Sequence, residues 1–596
     1  MIVMKKYISM FVASLMLVSC VDTIILPDDK TVDEDFWQTK GDVASMVSGA
    51  YAVMASNDVL TRLIIWGDFR TDEVLRNSGV TDVSATTQAL DEIAAVNIQT
   101  TNMFATWSQL YDVINRCNIV LERAEGVMLI DPNYTLGDYQ VDRSQMLALR
   151  ALCYFYLVRN FRDVPFITEA YMNSSQSFLR EQTAPATIID QCIADLEGCV
   201  STAMSPRSYG TGEWRRVGWL TSDGINALLA DLYLWRASVT HSAADYRQCV
   251  AICDRVIASK KAQHIRGRNE LTEKEYPLAD AEDMYYDLFV SQNAEESIFE
   301  LQNRSNLPLC QFYYKYKSAS ATAGMGWLKA TPIFAAAAPH SVYNATTILS
   351  NSALFSSSDM RYYAACFIPG TGEDSYDIRK MICEVDVPAK VTQKTREAYD
   401  YGGRDHNFNI YRLSDVMLMK AEAMVQLAEE TPETATDEEK AEISARNEAL
   451  LRPAFNMVQA VNTRALHSEN QADSLKWNTF KDFSKDQFEQ LVMQERMREF
   501  CFEGRRWYDL LRYNYRHVQG VDYGTILADQ STLVRNYDEM LTLMTRQRGT
   551  DASGVKAKMA NEAYLYMPIP NSDILVCPAL KQNPVYKSSN DFEKSY

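Results

Sequence analysis

A mostly α-helical fold with an irregular, loop-rich middle is predicted by three features of this 596-residue chain. Apolar residues recur at helical spacing between residues 42 and 257, and again from residue 411 onward. Within those stretches small alanines and bulky aromatics recur in paired segments, which suggests tetratricopeptide-like packing, although a regular period of roughly 34 residues is not clean. Between residues 260 and 410 the helical spacing fades and Pro, Gly, Ser and Tyr accumulate. An irregular span of that length inside a compact protein is usually functional or disordered. The chain is therefore divided into a targeting segment (1–19), an N-terminal region (20–240), a loop-rich middle (241–410) and a C-terminal region (411–596), the last three forming one compact mature unit.

Composition narrows the function. The hydrophobic fraction is 47% and the charged fraction 23%, so a sizeable core needs no disulfide or metal staple. With 59 Lys and Arg against 78 Asp and Glu the net charge is −19, which leaves no electrostatic footprint for nucleic acid. Twelve cysteines contain no C-x-x-C pair, and Cys249 and Cys253 fall one helical turn apart, in keeping with small buried hydrophobes. The six histidines are scattered and form no H-x-x-x-H pair, so neither a metal nor a cofactor is expected. G-x-S-x-G, P-loop and G-x-G-x-x-G motifs are absent as well. Aromatics reach 11%, 33 of them Tyr, enough to furnish ring surfaces for a ligand.

Taken in order, the chain opens on Lys5 and Lys6, then a mostly apolar run from Tyr7 to Val18 that is too short to span a bilayer. It ends in Leu17-Val18-Ser19-Cys20, which resembles a bacterial lipobox with Cys20 as the lipidated N-terminus. Residues 21–40 read as a tether ending in Phe36-Trp37, followed by a helix from Asp42 to Ala55. Gly67-Asp68-Phe69-Arg70-Thr71-Asp72-Glu73 lacks the spacing of a calcium loop and is expected to start a helix and pin a loop. Residues 76–103 are a polar, Thr-rich loop region without an aromatic. A helix carrying Leu147, Ala151, Tyr154, Phe155 and Val158 stops at Asn160-Phe161-Arg162-Asp163-Val164-Pro165, where proline ends it. Ile188–Val200, Leu220–Ala237 and Tyr246–Ile257 are helical. Helix resumes at Tyr411-Arg412-Leu413-Ser414-Asp415, while Glu429 to Glu442 is a solvated loop and helix start.

The stretch that orders the rest is Phe488 to Arg512. Phe488, Leu491 and Val492 mark a helix face, Glu495, Arg496, Arg498 and Glu499 follow, and Gly504 can take the left-handed turn between two helices. So much charge beside aromatics predicts a partly buried ion-pair lattice, with Glu499 and Arg506 in one network, acting as scaffold rather than catalyst.

E-R-x-R-E-F-x-F-E-G-R-R-W-Y-D-L at 495–510 closely resembles the C-terminal signature of the SusD/RagB family of outer-membrane nutrient-binding lipoproteins. Further resemblances are the G-D-x-x-x-D-E segment at 67–73, a Y-G-D-V-P-like exit at 161–165, the D-x-R at Asp359–Arg361, the Tyr411–Ala423 helix, the helix at Phe455–Ala465, and the P-I-P and Q-N-P ending. The resemblance implies a SusD-like fold, no catalysis, capture of glycans or peptides on loops, and delivery to a TonB-dependent transporter of the SusC/RagA kind. A structural repeat scaffold is the alternative; a secreted glycoside hydrolase would need a carboxylate pair that no stretch singles out. Because family sites lie on loops with aromatic rings and residues 76–103 supply none, the ligand is expected in the middle segment. Trp327, beside Gly324 and Gly326, is the first candidate, followed by Tyr313, Tyr314 and Tyr343.

Overall fold

The computed structural model describes residues 36–77, 83–172, 176–210, 212–264, 276–281, 283–302, 327–337, 353–365, 378, 380, 384–390, 393–398, 407–466, 468–529, 534–546 and 552–586. The targeting segment, Cys20, Tyr313, Tyr314 and Tyr343 lie outside them. So do Gly324 and Gly326.

The architecture is mostly helical. Helix α1 (Lys40–Met54) is started by a capping box in which Thr39 and Asp42 satisfy each other's backbone N–H groups. Helix α2 (Asn57–Asp68) and strand β1 (Val74–Arg76) follow. Residues 85–94, expected within a polar loop, form helix α3 (Ala85–Ala94). Ser84 and Thr87 cap it reciprocally, so the polar residues that suggested a loop are its start signal. Of the helices α4 (Ser108–Ile130), α5 (Leu136–Phe161), α6 (Pro185–Cys199), α7 (Ser222–Thr240) and α8 (Ala243–Gln263), α4 packs on α1 and each of the others packs on the one before it. After the middle come α9 (Leu413–Gln426), α10 (Asp437–Arg464), α11 (Lys485–Phe500) and α12 (Arg506–His517). Helix α9 joins the two halves by packing on α8, α10 and α11. These consecutive hairpins are the helix pairs the sequence predicted. Among the described residues no helix is long and apolar enough to cross a membrane.

The described part of the middle holds short strands and, besides α8, short helical segments at Tyr286–Ser291 and Met360–Ala365. Strand β2 (Ser297–Leu301) pairs antiparallel with β4 (Phe408–Arg412), which runs straight into α9. Strand β3 (Leu328–Ala330) pairs antiparallel with β1, Arg76 opposite Leu328. The core is continuous from Trp37 to Leu580. It includes the C-terminal half of α5, where Tyr154, Phe155, Leu157 and Val158 are fully buried. That burial stabilises each large side chain by about 1.5–3 kcal/mol.

Candidate functional site

The charge-rich segments assemble into three buried clusters. In the first, Arg412 at the end of β4 binds Glu499, Glu503 and Glu296, while Arg464 binds Glu296 and Glu499. Arg361 joins it, donating to Asp359 at 2.7 Å, Glu495 at 2.9 Å and Glu499 at 2.8 Å. In the second, Asp415 of α9 accepts from Arg496 at 2.9 Å and from Arg505, and Glu422 accepts from Arg512 at 2.8 and 2.9 Å. In the third, Arg506 grips Asp72 with two bonds of 2.9 and 3.1 Å, and Arg546 adds a third of 2.7 Å. Glu499 and Arg506 therefore take different partners rather than sharing one network, because Asp72 supplies Arg506 from a distant part of the chain. Both are fully buried rather than partly so.

The segment at 67–73 pins a loop as expected but starts no helix of its own, since α2 ends at Asp68. Asp68 accepts from Gly504 N at 2.9 Å and Arg505 N at 3.2 Å, capping the start of α12 from outside it. Glu73 accepts from Phe502 N at 3.3 Å. Gly504 has φ +73°, the left-handed turn foreseen for it, and a Cβ on Gly67 would come within 2.0 Å of its carbonyl oxygen. Two backbones touch here, so both positions need glycine.

The paired carboxylates have the electrostatics of a scaffold. Burial pushes Glu499 up, but Arg464, Arg412 and Arg361 hold its carboxyl well below the usual range. Asp509 is lowered by Arg496 and Arg512 against the same burial. Carboxylates so paired are fixed in their ionised form and inaccessible, suited to holding geometry rather than moving protons. One mixed donor group exists among the described residues: ligand atoms of Asp486, Glu489 and His517 lie within 4.8 Å of one another. Glu489 already accepts from Arg516 and, at 2.8 Å, faces His517 Nε2, so an ion pair satisfies it.

Of the predicted ligand residues, Trp327 is described. It immediately precedes β3, is half-buried, and packs against the core edge. Its carbonyl accepts from Asn77 N at 2.8 Å and Arg76 Nη1 at 3.1 Å, which fixes the backbone that presents the ring.

Three features escaped the sequence reading. Arg162 has φ +65° at the end of α5, where the family's exit motif has glycine. Its buried guanidinium donates to Asp163, Asp522 O and Thr525 O, bonds that offset the strain of that backbone. A cleft of about 690 Å³ opens between α10 and the start of α11, with Trp477, Phe483 and Leu451 among its lining and Glu448 and Asp482 beside them. Finally, Tyr209, Trp214 and Trp219 form a half-buried aromatic cluster between α6 and α7.

Comparison with known proteins agrees with this architecture. The SusD family model matches residues 357–586. A second model, described as starch-binding and associating with the outer membrane, matches residues 26–211. SusD-like protein P38 of Formosa agariphila is 23% identical over 537 residues, covering 86% of this chain and 92% of that protein. A SusD homolog from Bacteroides thetaiotaomicron has a similar fold, with a TM-score of 0.64 at 16% identity, covering 93% of this chain and 99% of that one. The surface glycan-binding protein A of Bacteroides uniformis gives a TM-score of 0.60 at 18% identity, covering 91% and 99%. The two matched regions hold the motifs that build the clusters, Asp68–Glu73 in one and Asp359–Arg361, Arg412–Glu422 and Glu495–Arg512 in the other, and the chain belongs to the SusD family.

Proposed function

We propose that this protein is a non-enzymatic nutrient receptor that captures glycans at the cell surface and passes them to a TonB-dependent transporter of the SusC/RagA kind. Family membership carries the reading: both ends of the chain match models of a nutrient-binding family, one of them described as starch-binding. A glycan-binding relative with the same fold supports the choice of glycan over peptide. The buried clusters add a physical reason, since the most charge-rich segment holds the fold together and leaves recognition to surface rings.

In this reading the ligand stacks on Trp327, with Tyr313, Tyr314 and Tyr343 as further contacts. A half-buried ring on a backbone tied to β1 is a preorganised platform, which lowers the entropy cost of binding. Trp327→Ala should weaken glycan binding about thirtyfold, the loss of a central aromatic anchor of about 2 kcal/mol. The melting temperature should stay within a degree or two. A fall of many degrees with unchanged affinity in the folded fraction would make Trp327 a core residue and remove it from the site. Anchoring is assigned to Cys20, so Cys20→Ala should leave the membrane fraction. Mild-detergent pulldown of the unaltered protein should recover a large outer-membrane partner; recovery of the monomer alone would count against the delivery role.

A further inference from the structure

The aromatic cluster between α6 and α7 has the chemistry of a second binding site. The Tyr209 and Trp219 rings meet at 6.3 Å, and Trp214 and Trp219 at 5.9 Å, all edge to face. Trp219 also stacks on Tyr51 of α1 at 6.4 Å, which roots the cluster in the core. A Cβ on Gly218 would come within 2.7 Å of both the Trp214 ring and Gln302, so ring and amide close over bare backbone. Gln302 directly follows β2, which places the cluster at the point where the middle segment leaves that strand.

Arg215 lies 5.7–6.0 Å from the centroids of all three rings. Its Nε donates to Glu213 at 3.0 Å, and among the described residues its terminal nitrogens take no hydrogen bond. The side chain is 44% exposed. Two more arginines stand at the end of α8. Arg207 donates to Ala262 O at 3.1 Å, and Arg216 to Gln263 Oε1 at 2.9 Å. Arg207, Arg215 and Arg216 gather here on a chain of net charge −19, with Glu213 beside Arg215, Asp223 near Arg216 and Asp142 near Tyr209 as the acids around them.

We infer that this patch binds a sugar ring bearing a carboxylate, an acidic glycan. An aromatic face takes the C–H surface of a pyranose, and a guanidinium fork takes a carboxylate in two parallel bonds. Arg215 has its Nε edge fixed by Glu213 and its plane held among rings, so the terminal edge is oriented before a ligand arrives. The charge pattern selects the ligand class. An acidic surface repels anions in general, and a local excess of arginine beside rings is where an anionic ring is attracted instead.

The inference rests on the glycan-receptor reading and is tested so that the two can fail separately. The full-length protein in detergent is titrated with tetragalacturonate and tetramannuronate, and with cellotetraose and mannotetraose as neutral counterparts. At least one acidic member should bind ten times or more tighter than its neutral counterpart, and added salt should weaken it. Arg215→Gln should cost that acidic ligand about tenfold or more, and Trp214→Ala about thirtyfold. Glu213→Gln should tighten it severalfold, because a competing like charge is removed; a merely structural pair would show no such gain. Acidic binding no tighter than neutral binding, or binding indifferent to Arg215→Gln and Glu213→Gln, overturns the inference while neutral binding keeps the receptor reading. Failure of the whole panel to bind counts against both.

Discussion

Trp214-Arg215-Arg216 and Arg505-Arg506-Trp507 use the same residue types and end in opposite environments. Trp507 is fully buried under the guanidinium of Arg70, 3.9 Å from its ring, and Arg506 is buried on Asp72. Trp214 is half-buried, and Arg215 reaches Glu213, two residues away, with nearly half its side chain in water. Hydrophobicity does not separate the two triplets. What separates them is where the carboxylates come from. Asp68, Asp72, Asp415 and Glu422 are delivered to the second triplet and its helix by α2, the loop after it and α9, from far away in sequence. The arginines of the second triplet enter the core on acids the fold brings them, and Arg70 beside them is held by Leu565 O and the Trp507 ring; an arginine given no such partners stays at the surface, available to a ligand.

The largest effect expected from this contrast is at Arg506. Arg506→Ala leaves Asp72 buried with Arg546 alone, and removing one partner of a buried pair costs about 3–5 kcal/mol. Thermal and urea unfolding should show that loss, with glycan affinity unchanged in the protein that still folds. Lost affinity at an unchanged melting temperature would mean that the signature segment touches ligand, and the contrast would collapse.

A smaller effect is expected from pH. Burial pushes Asp142 up to about 6, with Asp138 adding to the rise, and burial pushes Asp163 up to about 6 as well. A carboxyl raised in the folded state binds its proton more tightly there than in the unfolded chain, so each of these groups adds stability as pH falls from about 7 toward 4. Glu499 and Asp509 are depressed, so their contribution is present above the ordinary carboxyl range and is lost as pH falls below it. The melting temperature should therefore rise modestly from pH 7 to about 5 and fall steeply below about 4. Asp142→Asn, which cannot titrate, should flatten part of the rise. A steady decline from pH 7 to 5, unchanged by Asp142→Asn, would show that the raised carboxyls are not where burial puts them.

Local signals read well from the sequence, and long-range ones did not. The Asp42 helix, the proline stop after α5 and the turn at Gly504 are decided within a few residues, and each stands where the spacing placed it. The loop-pinning role of Asp68–Glu73 was legible too, although its partners at 502–506 were not. The division of Glu499 and Arg506 between clusters depends on Asp72, which lies 434 residues from Arg506. Helix α3 was missed because Ser84 and Thr87 suit a loop and a cap equally well. The aromatic patch was missed because Tyr209, Trp214 and Trp219 have no period, and Tyr51 and Gln302 reach them only through the fold.

The smallest stability effect belongs to the exposed triplet, and that makes it the most informative about function. The Arg215–Glu213 pair joins side chains 44% and 32% exposed, in high dielectric and screened by salt, and such pairs add little to folding. Arg215→Ala should therefore leave the melting temperature unchanged within error, while the variant loses its acidic-glycan affinity. Trp214→Ala should behave alike, because Trp219 rather than Trp214 carries the stacking contact to Tyr51. A drop of several degrees in either variant would place this triplet with the buried one, as part of the frame that holds α7 against β2. An unchanged melting temperature together with lost binding would show one combination of residues serving as frame where distant acids reach it and as recognition surface where they do not.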